Sequence, residues 1–209
     1  MVGLIVTGIA TFAATNIDDI LILVMFFSQV TASFRSRHVV TGQYLGFATL
    51  VGVSLLGFLF SLVISRAWIG LLGFAPIVIG VRKFLDRNKP AEVTEAQSLS
   101  LEPRKPTVIN ALLAPYTYQV AVVTVANGAD NIGIYTPLFA TSSPAELGVL
   151  LVVFFVLLGV WCFAGFHLAR RPAVVTLMTH YGHIIVPFVL IGLGIFILIE
   201  SGTLSLFGL

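Results

Sequence analysis

The feature that most constrains this chain is an apolar run from Val149 to Phe166, which contains no charged, amide or hydroxyl side chain. A helix that crosses the hydrocarbon core of a bilayer needs about 20 mostly apolar residues. The run is followed by His167, Arg170 and Arg171, a polar boundary of the kind that marks a membrane surface. It therefore predicts a membrane-spanning helix.

The composition extends this prediction to the whole chain. Of 209 residues, 58% are hydrophobic and 10% are charged, and the mean hydropathy is +1.05. Soluble domains carry about 25% charged residues, so a soluble globular domain and a disordered segment are both excluded. The single cysteine excludes an internal disulfide, and a net charge of +2 on dispersed basic residues argues against nucleic acid as a partner. The sequence indicates an integral membrane protein, with the lipid bilayer as its first partner.

Reading the chain for apolar segments of spanning length predicts six transmembrane helices. Their approximate ranges are 3–30, 41–64, 67–85, 107–140, 146–168 and 183–200. Strands that alternate polar and apolar residues are not found, so the predicted fold is all-α. The chain starts without a basic region or an obvious cleavage site, and we expect the first segment to be a retained span. Small residues along the second span predict close helix packing, at Gly42, Gly46, Gly52, Ser54, Gly57 and Ser61.

The distribution of basic residues predicts the orientation. With both termini outside, ten of the eleven Lys and Arg residues, Lys83 among them, fall in or beside cytoplasmic connections, and Arg66 falls outside. This asymmetry follows the positive-inside rule. The polar, proline-punctuated stretch at 86–106 predicts a cytoplasmic loop between two three-helix units at 1–85 and 107–209.

An internal repeat relates these two units. A shift of 112 residues aligns Asp18 with Asp130 and Asp19 with Asn131. Because each unit holds an odd number of spans, the two must lie in the membrane with opposite orientation, as inverted repeats do in many secondary transporters. The segment 107–140 is too long for one straight span and contains Gly128, which predicts a broken helix there.

Three carboxylates lie well inside the predicted spans, at Asp18, Asp19 and Asp130. Each costs about 2.5–3.5 kcal/mol at the centre of a membrane helix, so such residues usually mark an ion or substrate path. Thr15, Asp18 and Asp19 are spaced i, i+3 and i+4, a spacing that shares one helix face, and the second repeat has the same spacing. Carboxylate and amide oxygens suit hard or borderline divalent cations. The predicted metal ligands are Asp18, Asp19, Asp130 and Asn131, with Thr15, Asn16 and Asn127 as further candidates for substrate binding.

Other interpretations of these residues stay open at this point. The polar side chains could simply hold helices together by hydrogen bonds. An intramembrane metal-assisted hydrolase would need His or Cys ligands at depth, so we expect no catalytic residues and no enzyme. The sequence has no P-loop, which leaves ATP-driven pumping by this chain unsupported. Participation of Cys162, His167, His180 and His183 is left open.

The two polar motifs resemble a known family. Ala14-Thr-Asn-Ile-Asp-Asp-Ile-Leu-Ile-Leu and Asn127-Gly-Ala-Asp-Asn-Ile-Gly-Ile-Tyr-Thr-Pro-Leu-Phe-Ala are similar to the motifs of the cadmium-resistance transporter family, in the lysine-exporter superfamily. The similarity extends over essentially the whole chain. It implies an exporter of Cd²⁺ or a related divalent cation in the bacterial plasma membrane. It also implies a site at Asp18, Asp19, Asp130 and Asn131, with Asn16 and Asn127 as neighbours.

We expect export to be driven by protons, because moving a divalent cation out against 100 mV costs about 4.6 kcal/mol. In this hypothesis the three Asp carboxylates bind metal facing inward and take up protons facing outward, as one three-span unit moves against the other. The metal is then the substrate, and no resident cofactor is expected. The identity of the ion (Cd²⁺, Zn²⁺ or Mn²⁺) and the oligomeric state, a homodimer included, stay open. Because superfamily relatives export amino acids, export of a small cationic or zwitterionic solute is the alternative.

Overall fold

The computed structural model describes residues 2–62, 66–86, 115–170 and 172–203. This part of the chain is helical, with no strand among its residues. The helices are α1 (Val2–Asn16), α2 (Asp19–Ser28), α3 (Ser36–Ser61), α4 (Arg66–Ile69), a 3-10 helix (Gly70–Gly73), α5 (Phe74–Asp86), α6 (Pro115–Asn127), α7 (Ala129–Thr141), α8 (Pro144–Leu168) and α9 (Pro172–Glu200). The predicted cytoplasmic loop lies outside the described residues from position 87 onward.

Among the residues that the structure describes, two helices, α3 and α8, are long and apolar enough to cross a membrane. The pair α1 and α2, bent by 60°, makes a third candidate if it counts as one span. The predicted segment 146–168 agrees with α8, which begins at a capping box in which Ser143 and Glu146 bond each other's backbone N–H. The all-helical membrane fold is therefore confirmed, and the six-span inverted repeat stays a prediction.

Both polar motifs interrupt their helices. The break predicted at Gly128 is confirmed, because α6 ends at Asn127 and α7 begins at Ala129. The first segment was expected to be one helix, and that prediction is wrong at residues 17–18. At this break a distant residue replaces a helix bond: the Trp161 indole donates to the Asn16 carbonyl at 2.7 Å, and the Ile20 N–H bonds the Ile17 carbonyl instead, at 3.4 Å. The face shared by Thr15 and Asp19 in a continuous helix is therefore interrupted.

Within the described residues, the most extensive helix packing joins the two sequence halves. Helix α3 packs on α6 and α7, α8 packs on α1 and α2, and α5 packs on α9. The predicted glycine packing is confirmed on α3: a methyl group at Gly42 would lie 2.5 Å from Val120 Cβ, and one at Gly46 would lie 2.5 Å from Thr124 Cβ. Gly57 is equally close to Thr136, whereas Gly52 has nothing within 4 Å.

Two buried apolar clusters lie on either side of the breaks along the chain. The first includes Phe12 of α1 and Ile134 of α7. The second includes Leu23 of α2 and Val123 of α6. Each broken segment thus runs from one cluster to the other, in opposite chain directions, and its polar motif falls between them.

Candidate functional site

The central feature of the site is a lysine shared by two carboxylates. Lys83 Nζ lies 3.2 Å from Asp18 Oδ2 and 3.4 Å from Asp130 Oδ2. The lysine is 30% exposed, and the two aspartates are 44% and 41% exposed. Lys83, counted in the sequence with the basic residues of the cytoplasmic connection, lies in the last turn of α5 and neutralises part of the site. Its signal in the sequence was its position inside a segment already assigned as a span.

The contact of Lys83 with Asp18 and Asp130 is called the lysine bridge below, and the third carboxylate, Asp19, is not part of it. Asp19 is only 4% exposed, and Asn127 Nδ2 donates to its Oδ1 at 2.5 Å. Asn127 ends α6 and Asp19 begins α2, so this bond ties one helix break to the other. A buried carboxylate is costly without such a donor, and the amide therefore stabilises Asp19 in place.

The breaks also place the acids at helix N-termini. Asp19 lies in the first turn of α2, with Asp18 at its N-cap position, and Asp130 lies in the first turn of α7. The N-terminal end of a helix carries a partial positive charge, which stabilises a nearby carboxylate. The backbone of the two broken segments thus supports negative charge at these three carboxylates.

A second polar group is built on Tyr135, which the sequence analysis did not single out. Its hydroxyl lies 2.7 Å from Thr15 Oγ1 and accepts a bond from Asn16 Nδ2 at 2.8 Å. All three side chains are buried. Thr15 and Asn16, predicted as further substrate-binding residues, are therefore brought together with Tyr135 and not with the lysine bridge. The signal available for Tyr135 was its hydroxyl within the mostly apolar continuation of the second motif.

Asn131 is buried without a partner. It is 1% exposed, and neither its Nδ2 nor its Oδ1 has a hydrogen-bond partner among the described residues. The Oδ1 of Asn16 is in the same condition. Buried amides are nearly always bonded in native proteins, and exceptions point to water, an ion or a ligand. Both residues belong to the two motifs, so the unsatisfied amide atoms mark the motif region as a candidate binding region.

The four predicted metal ligands are divided in this structure. Asp18 and Asp130 share Lys83, Asp19 accepts a bond from Asn127, and the side chain of Asn131 has no hydrogen-bond partner among the described residues. Within the described part of the chain, no three His, Cys, Asp or Glu residues are grouped as a metal site.

The other candidates lie elsewhere. His167 is exposed, and its ring nitrogen lies 2.9 Å from the Phe163 carbonyl. Cys162 is buried in the second apolar cluster. The side chains of His180 and His183 lie outside the part that the structure describes.

Apolar helices that break at carboxylate-bearing motifs are typical of membrane transporters, and these define the class of this protein. Within that class, the chain belongs to the cadmium resistance transporter family, whose model matches residues 12–208. The match spans both polar motifs and nearly the whole chain. Comparison with curated proteins and with solved structures gives no match.

Proposed function

We propose that this protein exports a divalent heavy-metal cation, foremost Cd²⁺, through a site formed by Asp18, Asp19, Asp130 and Asn131. Cadmium resistance transport is the function of the family. The observation that carries the proposal for the site is the lysine bridge. Carboxylates from two distant motifs already converge on one positive charge there, at 3.2 and 3.4 Å. A pair of carboxylates placed in this way can exchange one cation for another.

The depth of the break supports an intramembrane site. Helix α1 has 15 residues, which corresponds to about 22 Å of rise before the chain reaches Asp18. The hydrocarbon core is about 30 Å thick. If α1 starts at the outer surface, as the positive-inside prediction requires, the carboxylates lie inside the hydrocarbon region. We infer the same arrangement for the whole chain, a bacterial plasma membrane with both termini outside.

The packing pattern supports the inverted repeat. In the predicted repeat, α1 and α2 correspond to α6 and α7, α3 corresponds to α8, and α5 corresponds to α9. The contact of α3 with α6 and α7 then corresponds to the contact of α8 with α1 and α2, and the contact of α5 with α9 corresponds to itself. The first span of each half is broken within its polar motif, at residues 17–18 and at residue 128, which lie one to two positions apart in the aligned repeats. Six spans in two inverted units account for both features.

Proton coupling follows from the chemistry of the site. Carboxylates bind either a metal ion or protons, so protons entering from outside can release the metal there. Two protons per divalent ion make the exchange electroneutral, which removes the electrical cost of about 4.6 kcal/mol at 100 mV. Export of an amino acid, the alternative kept from the sequence, gains no support from the family match.

The deciding experiment measures cellular metal content under Cd²⁺, Zn²⁺ and Mn²⁺ challenge. It compares wild type, Asp130→Asn, the control Glu200→Gln and empty vector at equal expression. Glu200 is an exposed carboxylate at the end of α9, away from both motifs, so its amide variant controls for loss of one charge. We expect wild type and Glu200→Gln to lower one metal and Asp130→Asn to match the vector. Equal metal in all four strains contradicts metal export, and a fully active Asp130→Asn contradicts the site.

The coupling is tested separately in proteoliposomes. We expect Cd²⁺ flux to increase when an imposed pH gradient drives protons in the direction opposite to Cd²⁺. Flux that ignores both the pH gradient and the voltage contradicts proton antiport while leaving the exporter assignment intact.

A further inference from the structure

Lys83 belongs to the site through its contacts with Asp18 and Asp130, although neither polar motif contains it. It reaches the two aspartates from α5, a helix that belongs to neither broken segment. Its neighbour Arg82 is exposed on the same helix. The cation that the acids now hold is therefore supplied by a third element of the fold.

This ammonium and a metal ion would compete for the same carboxylate oxygens. Lys83 contacts Asp18 Oδ2 and Asp130 Oδ2 together. Divalent cations bind carboxylate oxygens at about 2.0–2.6 Å, which is closer than the ammonium contacts seen here. A metal that bridges these two carboxylates would occupy the space of Nζ, and the two positive charges would also repel.

Resting on the proposed function, we propose that Lys83 is a tethered competitor of the transported metal. The ammonium occupies Asp18 and Asp130 when no metal is bound, and metal binding displaces it. A cation that binds carboxylates weakly, such as a monovalent ion, does not displace a lysine already in contact with both. Lys83 thereby sets which cations enter the site. It also lowers metal affinity, because every bound ion must replace an existing ion pair, and lower affinity favours release.

The first test measures Cd²⁺ binding to the purified full-length protein by titration calorimetry. Lys83→Met gives an unbranched side chain that is one atom shorter and lacks the charge. We expect Cd²⁺ to bind about tenfold more tightly to this variant, the effect of losing about 1.4 kcal/mol of competition. Lys83→Arg retains the charge and should remain within about threefold of wild type. Arg82→Met removes a positive charge from the adjacent exposed position and should leave affinity unchanged. In proteoliposomes, Lys83→Met should lower both KM and the maximal rate.

A second measurement follows the displacement itself and does not depend on the Met variant folding. The chain contains three lysines, Lys83, Lys89 and Lys105. In a Lys89→Arg, Lys105→Arg background, reductive ¹³C-methylation labels Lys83 together with the chain terminus, and Lys83→Arg identifies its NMR signal. We expect the Lys83 signal to shift when Cd²⁺ is added and to stay unchanged with Na⁺.

These outcomes separate the two proposals. If wild type binds no Cd²⁺, the proposed function fails. A different result overturns only the competitor role of Lys83 and leaves the exporter proposal standing. In that result wild type binds and exports Cd²⁺, Lys83→Met binds Cd²⁺ equally or more weakly than wild type, and the Lys83 methyl signal does not shift. If Arg82→Met increases Cd²⁺ affinity as much as Lys83→Met does, the competitor role of Lys83 is also overturned, because the change in net charge alone would then explain the effect.

Discussion

Asn127 donates a hydrogen bond of 2.5 Å to the carboxylate of Asp19, 108 positions earlier in the chain. The donor is the last residue of α6, and the acceptor is the first residue of α2. The bond therefore fixes the distance between two helix breaks that come from different halves of the sequence. It also leaves Asp18 and Asp130 as the carboxylates that face Lys83.

We expect Asn127→Ala to lower the free energy of unfolding by about 2 kcal/mol, because hydrogen bonds to charged groups contribute about 1.5–3 kcal/mol. The buried Asp19 would lose its amide donor. If Asp19 is a metal ligand, saturating Cd²⁺ should restore part of the lost stability. Thermal unfolding in detergent, with and without Cd²⁺, measures both effects. Thr49→Ala, an exposed position on α3, serves as the control and should show neither.

Removing the Tyr135 hydroxyl should destabilise the protein by about 1 kcal/mol without changing Cd²⁺ affinity. Its bonds go to Thr15 and Asn16, and not to the carboxylates. Net hydrogen-bond contributions of about 0.5–1.5 kcal/mol set the magnitude. Unfolding and Cd²⁺ titration of Tyr135→Phe test this. Tyr44→Phe, which removes one partly buried bond to the Phe155 carbonyl, is the matched control. A large loss of Cd²⁺ affinity in Tyr135→Phe would instead assign its hydroxyl to the metal site.

The contact between α3 and α6 predicts a difference between two glycines on one helix. A Cβ at position 46 would lie 2.5 Å from Thr124 Cβ and 2.8 Å from the Ala121 carbonyl oxygen, so Gly46→Ala should cost about 1–3 kcal/mol by overpacking. Gly52→Ala meets nothing within 4 Å and should be neutral or slightly stabilising. Equal melting temperatures for the two variants would show that α3 does not pack on α6 through Gly46.

The predicted orientation can be tested with single cysteines in a Cys162→Ala background. Ser98→Cys, in the predicted cytoplasmic loop, should react with a membrane-impermeant maleimide only after cells are broken. Ser142→Cys, between α7 and α8, should react in intact cells, because that connection is predicted to lie outside. The reverse pattern of labelling would invert the topology, and labelling of both in intact cells would contradict the six-span arrangement.

The sequence predicted most of the helical fold because a membrane helix can be recognised from the length and apolar composition of its segment. The run from Val149 to Phe166 lies within α8, and Gly128 predicted the break between α6 and α7. The break at residues 17–18 was not predicted, since no glycine or proline marks it. It depends on Trp161 binding the Asn16 carbonyl, a contact across 145 residues that no local pattern contains.

The candidate site was predicted in part for a similar reason. Carboxylates in apolar segments stand out, so Asp18, Asp19 and Asp130 were found from the sequence alone. Lys83 stands close to the polar end of its span, where basic residues ordinarily reach the membrane surface, and its role as their partner depends on the packing of α5. The bond from Asn127 to Asp19 likewise depends on how the two halves meet.

The close contacts of the glycine residues determine which helices can travel together. Gly42 holds α3 against α6, Gly165 lies against Leu23 of α2, and Gly80 meets the backbone of α9 at Pro187. Each of these glycine contacts joins one helix from the first half of the sequence to one from the second. If one three-helix half moved as a rigid block, as expected from the repeat, all of these contacts would have to open at once. We therefore expect the rigid bodies to be interleaved pairs of helices, so that the units of motion differ from the two predicted repeats.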